Sequence, residues 1–160
     1  MKIWKYMMLI ALLVSEASFA EKLYYSAQAS NQAGHTIFYR ALDLDSINVK
    51  KSDYPTLVSI HWPYEIDNVR GMPESSVIDS QYALEDLIMP LDRLDKGHLV
   101  LVVTGNGIKT WNWYVKDLTS WKASFNEALQ NRPIFPINIS VEIQPKWSLF
   151  NDFLRMVGKL

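Results

Sequence analysis

Three residues near the middle of the chain, Gly105-Asn106-Gly107, restrict what it can fold into more than any other feature. They separate two runs of strand-forming residues, Leu99 to Val103 and Ile108 to Val115. Asn and Gly enter positive φ at little cost, and a tight hairpin demands that conformation. An antiparallel pair is therefore predicted at the centre of the sequence, and the elements on either side must pack against it. Two registers are open. A three-residue loop sets Leu99, Leu101 and Val103 on the face of Trp111 and Trp113. A two-residue Asn106-Gly107 turn moves Leu99 and Leu101 to the face of Asn112 and Tyr114, because a one-residue slip inverts one strand relative to its partner.

The flanking segments read as alternating helices and strands. Leu23 to Ala29 and Thr36 to Leu44 are strands around a turn at Asn31 to Gly34, and Thr56 to Trp62 is a third, bounded by Pro55 and Pro63. After a loop from Tyr64 to Met72, Pro73 at a first helical position opens a helix with Val77, Leu84, Ile88 and Leu91 on one stripe, which Pro90 kinks or ends. Leu118, Trp121, Phe125 and Ala128 follow helical spacing, and Phe135, Ile137, Ile139, Val141 and Ile143 alternate as a strand. Pro145 begins a last helix that turns Trp147, Phe150, Leu154 and Val157 inward, with Gly158 as its cap.

From Thr56 to Ile143 the order is strand, helix, strand, strand, helix, strand. That is the split β-α-β unit of ferredoxin-like folds. The fold class is α+β, with both helices on one face of a four-stranded antiparallel sheet, the Thr56 and Ile108 strands central, and the N-terminal strand pair and C-terminal helix added to that core.

The first twenty residues stand apart. Lys2 and Lys5 form a positive region, Tyr6 to Val14 is an uncharged and mostly apolar run, and Ser18-Phe19-Ala20 offers small residues at the positions a signal peptidase reads. Residues 1–20 are expected to be a cleaved signal peptide of Gram-negative type, leaving 21–160 as one domain in the periplasm or outside the cell. A bilayer-spanning helix needs roughly 20 apolar residues, more than this run supplies before Glu16. A lipid anchor would need a cysteine, and the chain has none. Cleavage leaves 14 basic and 16 acidic residues, a formal charge of minus two. Nucleic acid is a poor partner for such a surface.

Few residues carry chemistry. His35, His61 and His98 lie on or beside three different predicted strands without H-x-x-x-H or H-x-H spacing, so no metal site and no cofactor is expected. Glu85 and Asp86 point about 100° apart on a helix and read as a solvated face. Gly105-x-Gly107 lies between strands and so is no phosphate cradle. No G-x-S-x-G is present, and there is no cysteine to act as nucleophile. Trp111, Trp113 and Trp121 read as core packing under the helices, against the alternative of an exposed stacking platform. The opposite phase of the central strands gives a polar set: Ser59 and His61, then Thr110, Asn112 and Tyr114, then Asn138, Ser140 and Glu142. From it come the candidate binding residues His61, Asn112, Tyr114, Ser140 and Glu142. No catalytic residue is assigned. Apolar side chains share that face in either register, so the C-terminal helix, or failing that a second subunit, is expected to cover part of it.

Arg70-Gly71-Met72-Pro73, Leu84-Glu85-Asp86, Thr104-Gly105-Asn106-Gly107 with Trp113-Tyr114 and Asp117, and Pro145-Lys146-Trp147 with Phe153-Leu154 together resemble the bacterial DUF695 family, a domain of unknown function. The resemblance implies a compact α+β fold and no reaction. Where the family pattern tends to Asp before the Pro-x-Trp, this chain has Gln144, a poorer helix cap. At the level of fold alone the arrangement is similar to a protein regulator of ribonuclease E, which implies a binding module. The expectation is thus an exported, non-catalytic binding or protein-interaction module, monomeric or homodimeric, for a protein or small ligand. The alternative is a hydrolase with His61 as general base, oriented by Glu142.

Overall fold

The structure, a computed structural model, describes residues 22–66 and 70–160. The segment read as a signal peptide lies outside the described residues. Six strands, β1 (Tyr24–Ser30), β2 (Thr36–Leu42), β3 (Thr56–Pro63), β4 (Gly97–Gly105), β5 (Ile108–Val115) and β6 (Asn138–Ile143), alternate with helices α1 (Ser75–Ile88), α2 (Leu118–Leu129) and α3 (Ser148–Met156). The sheet order is β1-β2-β4-β5-β3-β6, and all neighbours are antiparallel. The stretch β4-β5-β3-β6 is the four-stranded split β-α-β core, with β3 and β5 central, and the β1-β2 pair extends it past β4.

Gly105 pairs with Ile108, so the central hairpin turns on two residues, Asn106 and Gly107. Both have positive φ, 54° and 79°, as the two central residues of a type I′ turn require. The register does not run unbroken. Leu101 faces Asn112, but Leu99 faces Trp113, because a β-bulge inserts Val100 between them. Near the turn the two-residue register holds, and below the bulge the phase inverts, returning Leu99 to the tryptophan face. Val100 and Leu101 both enter the core on the other face. Gly105 is needed at the β2 crossing, since a Cβ there would lie 2.6 Å from Thr36 O.

Two apolar layers sandwich the sheet. On one face α1 and α2 cover Val58, Ile60, Trp111, Trp113 and Val115. Asp117 caps α2 by accepting Ser120 N–H at 2.7 Å, and Trp121 then packs beside Trp113 at 5.9 Å between ring centroids. Trp111, Trp113, Trp121 and Trp147 are all fully buried, which overturns the stacking-platform alternative. On the other face α3 packs Phe150, Phe153 and Leu154 over Leu57, Val100, Leu101 and Tyr114. The C-terminal helix is therefore the cover that the apolar second face required.

Four local expectations are corrected. The last helix begins at Ser148 instead of Pro145, because Trp147 takes a left-handed conformation with φ 56°; that turn lays its ring flat on Tyr114, 4.4 Å away and 4° from parallel, while its Nε1 donates to Tyr54 O at 2.9 Å. Gln144 is a better cap than its type suggests, since its Oε1 accepts both Leu149 N–H at 3.1 Å and the Tyr114 hydroxyl at 2.7 Å. The strand predicted from Phe135 shortens to Asn138–Ile143, as Pro133 and Pro136 interrupt the supply of backbone donors before it. Glu85 is buried rather than solvated: it pairs with Arg40 and, at 3.6 Å, with Lys109, and accepts Trp111 Nε1–H at 2.8 Å. Burial works to raise its pKa, and these partners together outweigh burial and hold it below the usual carboxylate range.

Candidate functional site

Along the flank of α3 the second face of the sheet opens into a groove of about 510 Å³. Its floor is the polar phase of β3, β5 and β6, and its walls are Leu101 and Val103 on one side and Leu149, Phe153 and Met156 of α3 on the other, with Tyr39 of β2 at one end. Antiparallel pairing decides which residues meet on the floor. His61 sits opposite Thr110 on β5, and Ser59 sits opposite Ser140 on β6.

The floor holds two hydrogen-bonded clusters. In the first, both ring nitrogens of His61 meet hydroxyls: Nδ1 lies 3.1 Å from Thr110 Oγ1 and Nε2 3.0 Å from Ser140 Oγ. The imidazole thus bridges β5 and β6 across its own strand. In the second, Ser59 Oγ–H donates to Asn112 Oδ1 at 2.8 Å, and Asn112 Nδ2–H donates to Leu101 O at 3.1 Å. Leu101 is the residue where pairing resumes past the bulge. Asn112 therefore supplies a donor where the ladder is irregular, and both ends of its buried amide are satisfied.

The five candidate binding residues separate on this map. His61 and Ser140 come together on the groove floor, and Asn112 lies beneath it with its polar atoms already used. Tyr114 lies wholly buried under Trp147, with its hydroxyl given to Gln144 and burial pushing that hydroxyl's pKa up to about 12; the groove lining passes it by. Glu142 is at the exposed rim, where its carboxylate accepts from Gln144 Nε2 at 2.8 Å. Nδ1 of His61 thus faces Thr110, while Glu142 faces Gln144.

The α3 wall was not legible beforehand. Leu149, Asp152 and Met156 line the groove, yet in sequence they are only the outer faces of an amphipathic helix whose azimuth depends on the turn at Trp147. The charged side chains of the lining are Glu142 and Asp152, and Asp152 is paired with Arg155 of the same helix at 2.5 Å. Among the described residues no three His, Asp or Glu converge as a metal site would need, and no helix is long and apolar enough to cross a membrane.

A second polar cluster lies at the other end of the molecule. Buried Asp92 pairs with Lys22, accepts the Tyr24 hydroxyl at 2.8 Å and lies 3.4 Å from Nδ1 of the fully buried His98. Burial pushes the Asp92 carboxyl up, but its contacts with His98, Lys22 and Tyr24 and the Lys22 charge prevail and hold it below the usual range. This cluster pins the start of β1 to the segment before β4.

The topology, the doubly covered sheet and the interrupted cover on its second face define an α+β domain with a ferredoxin-like core and a groove beside its last helix. The chain belongs to the family described as "Family of unknown function (DUF695)", whose family model matches residues 24–155, from the first strand into the last turn of α3. No curated protein and no solved structure matches it.

Proposed function

We propose that the protein is an exported binding module whose ligand seat is the groove between the sheet and α3. The observation that carries this reading is the pairing of an aliphatic wall, Leu101, Val103, Leu149 and Met156, with a compact polar floor at His61, Thr110 and Ser140. A largely apolar cleft of several hundred Å³ with a few converging polar groups is the usual form of a small-ligand site. The lining carries two carboxylates and neither lysine nor arginine, which favours a neutral or cationic head on an apolar body over an anionic one. Export rests on the segment 1–20, with its Lys2 and Lys5 region and its Ser18-Phe19-Ala20 site.

The test is an NMR titration of the labelled protein with small alkyl- and arylamines against the matching carboxylates. The expected result is saturable shifts at His61, Ser140, Leu149 and Met156 with the amines and none with the acids, abolished by Met156→Glu or His61→Ala. Shifts scattered over the surface, or equal response to both sets, would reject the groove as a ligand seat.

One distance supports a second reading, a hydrolase. His61 Nε2 and Ser140 Oγ stand 3.0 Å apart, within reach for a base to take a nucleophile's proton. Against it, Nδ1 is held by a hydroxyl instead of a carboxylate, so an imidazolium would gain little stabilisation. Covalent labelling by a fluorophosphonate, lost in Ser140→Ala, would establish that reading, and absence of labelling would leave the binding module standing.

A further inference from the structure

β6 is the last strand on its side of the sheet, and among the described residues nothing pairs with its outer edge. Gln144 N–H donates to Pro55 O at 2.7 Å, so the even-numbered residues of β6 turn their backbone groups toward β3. By the alternation of an antiparallel ladder, Ile139, Val141 and Ile143 direct theirs outward. The same three residues expose their side chains, at 43%, 37% and 74%, because α1 and α2 cover the central strands and stop short of this edge. Natural edges are guarded by charged side chains, above all lysine, by proline or by a bulge within the strand. β6, Asn-Ile-Ser-Val-Glu-Ile, has no lysine and no proline; its one charge, Glu142, lies on the groove face, opposite the exposed row of Ile139, Val141 and Ile143, and its nearest prolines, Pro136 and Pro145, lie outside it.

We infer that a second copy of this chain pairs with β6 about a two-fold axis at Val141, and that Glu142 of the partner subunit completes the polar cluster at His61 and Ser140. Free backbone groups on odd residues alone restrict an antiparallel copy to registers that pair odd with odd. The axis at Val141 pairs Val141 with its own copy and Ile139 with Ile143, so all three exposed residues are used. A register centred on Ser140 pairs Ile139 with Val141 but leaves Ile143 against Ile137, which lies outside the strand. The Val141 register also sets Glu142 against Ser140, so no like charges oppose each other. One symmetry operation thus matches the backbone groups, the aliphatic row and the charges, which is why a second copy is favoured over an unrelated strand.

On the groove face the consequence is chemical. Ser140 and Glu142 both spend their backbone groups on β3, so across the axis they form a non-hydrogen-bonded pair, the closer of the two spacings, with Cα atoms about 4.5 Å apart. The carboxylate of the partner's Glu142 then stands beside Ser140 Oγ, whose other neighbour is His61 Nε2. By symmetry the partner's Glu142 keeps the contact with its own Gln144 through Oε2, so it is the other carboxylate oxygen that the dimer brings to the His61 cluster. This addition to the groove rests on the binding reading above, whereas the interface does not.

Light scattering of the purified protein should give twice the mass of one chain. Val141→Lys, which sets two ammonium groups against each other at the axis, should halve it. Val141→Pro should halve it too, since the N–H it removes faces the free edge, and circular dichroism shows whether the fold is kept in each variant. The chain has no cysteine, so the double variant Ser140→Cys/Glu142→Cys should form a disulfide-linked dimer on mild oxidation while each single variant does not. A monomeric wild-type protein, a dimer that both Val141 variants leave intact, or cross-linking by Ser140→Cys alone would overturn the inference. A dimer that passes these tests but takes up no amine in the titration above would count against the groove reading only.

Discussion

Trp147 and Trp113 offer a matched pair of substitutions in which the large terms cancel. Both rings are fully buried, so replacing either by phenylalanine removes a similar slice of aromatic surface. Taking that slice as about 50 Å², the transfer loss is about 1.3 kcal/mol in each case. The hydrogen bonds differ. Trp147 Nε1 donates to Tyr54 O at 2.9 Å, and losing it leaves a buried carbonyl unpaired, which adds about 1–3 kcal/mol. Trp113 Nε1 is buried and finds no acceptor among the described residues, so Trp113→Phe removes an orphan donor and recovers part of the transfer loss. The left-handed backbone at Trp147 costs a phenylalanine as much as a tryptophan and drops out of the comparison. The expected order is Trp147→Phe at about 2–4 kcal/mol and Trp113→Phe at no more than about 1.5 kcal/mol. Urea melts with a common m-value measure both. Equal costs, within about 0.5 kcal/mol, would refute the claim that the Tyr54 carbonyl anchors the turn on which α3 and the groove wall depend.

Asn112→Ala should destabilise by about 1–3 kcal/mol in the same melts, because it strands the Leu101 carbonyl and the Ser59 hydroxyl in buried positions. Acid should act through Asp92 and Glu85: both carboxyls are held below their usual range, so their stabilisation is complete above the unfolded carboxylate pKa of about 4 and is lost as pH falls through the lower folded values. The melting temperature should therefore fall below about pH 4, and fall less steeply in an Asp92→Asn/Glu85→Gln variant, whose stability is already reduced at neutral pH. Intact mass of the protein purified from its own source should correspond to a chain starting at Glu21; a soluble cytoplasmic form that keeps residues 1–20 would exclude the export reading.

The sequence alone determined the elements whose cause is local. Asn106 and Gly107 form the turn because few other residues accept positive φ in succession, and the helix at Trp121 and Phe125 follows from its spacing and from Asp117 as cap. The order of elements, together with the one-handedness of crossovers, was enough to place β3 and β5 at the centre of the sheet, and alternation was enough to set His61, Thr110 and Ser140 on one face. Other features depended on contacts that no local pattern encodes. The bulge at Val100 splits the hairpin into two phases, and it is tolerated because Asn112, eleven residues away, can donate to Leu101 O. Glu85 reads as solvated by its type, yet β2 brings Arg40 and β5 brings Lys109 and Trp111 to it from distant parts of the chain. Ile139, Val141 and Ile143 have the alternation of a buried strand and are exposed, because alternation reports which face a side chain takes and only the packing of helices decides how far across the sheet that face is covered. The groove exists for the same reason: α3 covers part of the second face, and where it stops is set by the stacking of Trp147 on Tyr114, a contact between residues that are distant in the chain.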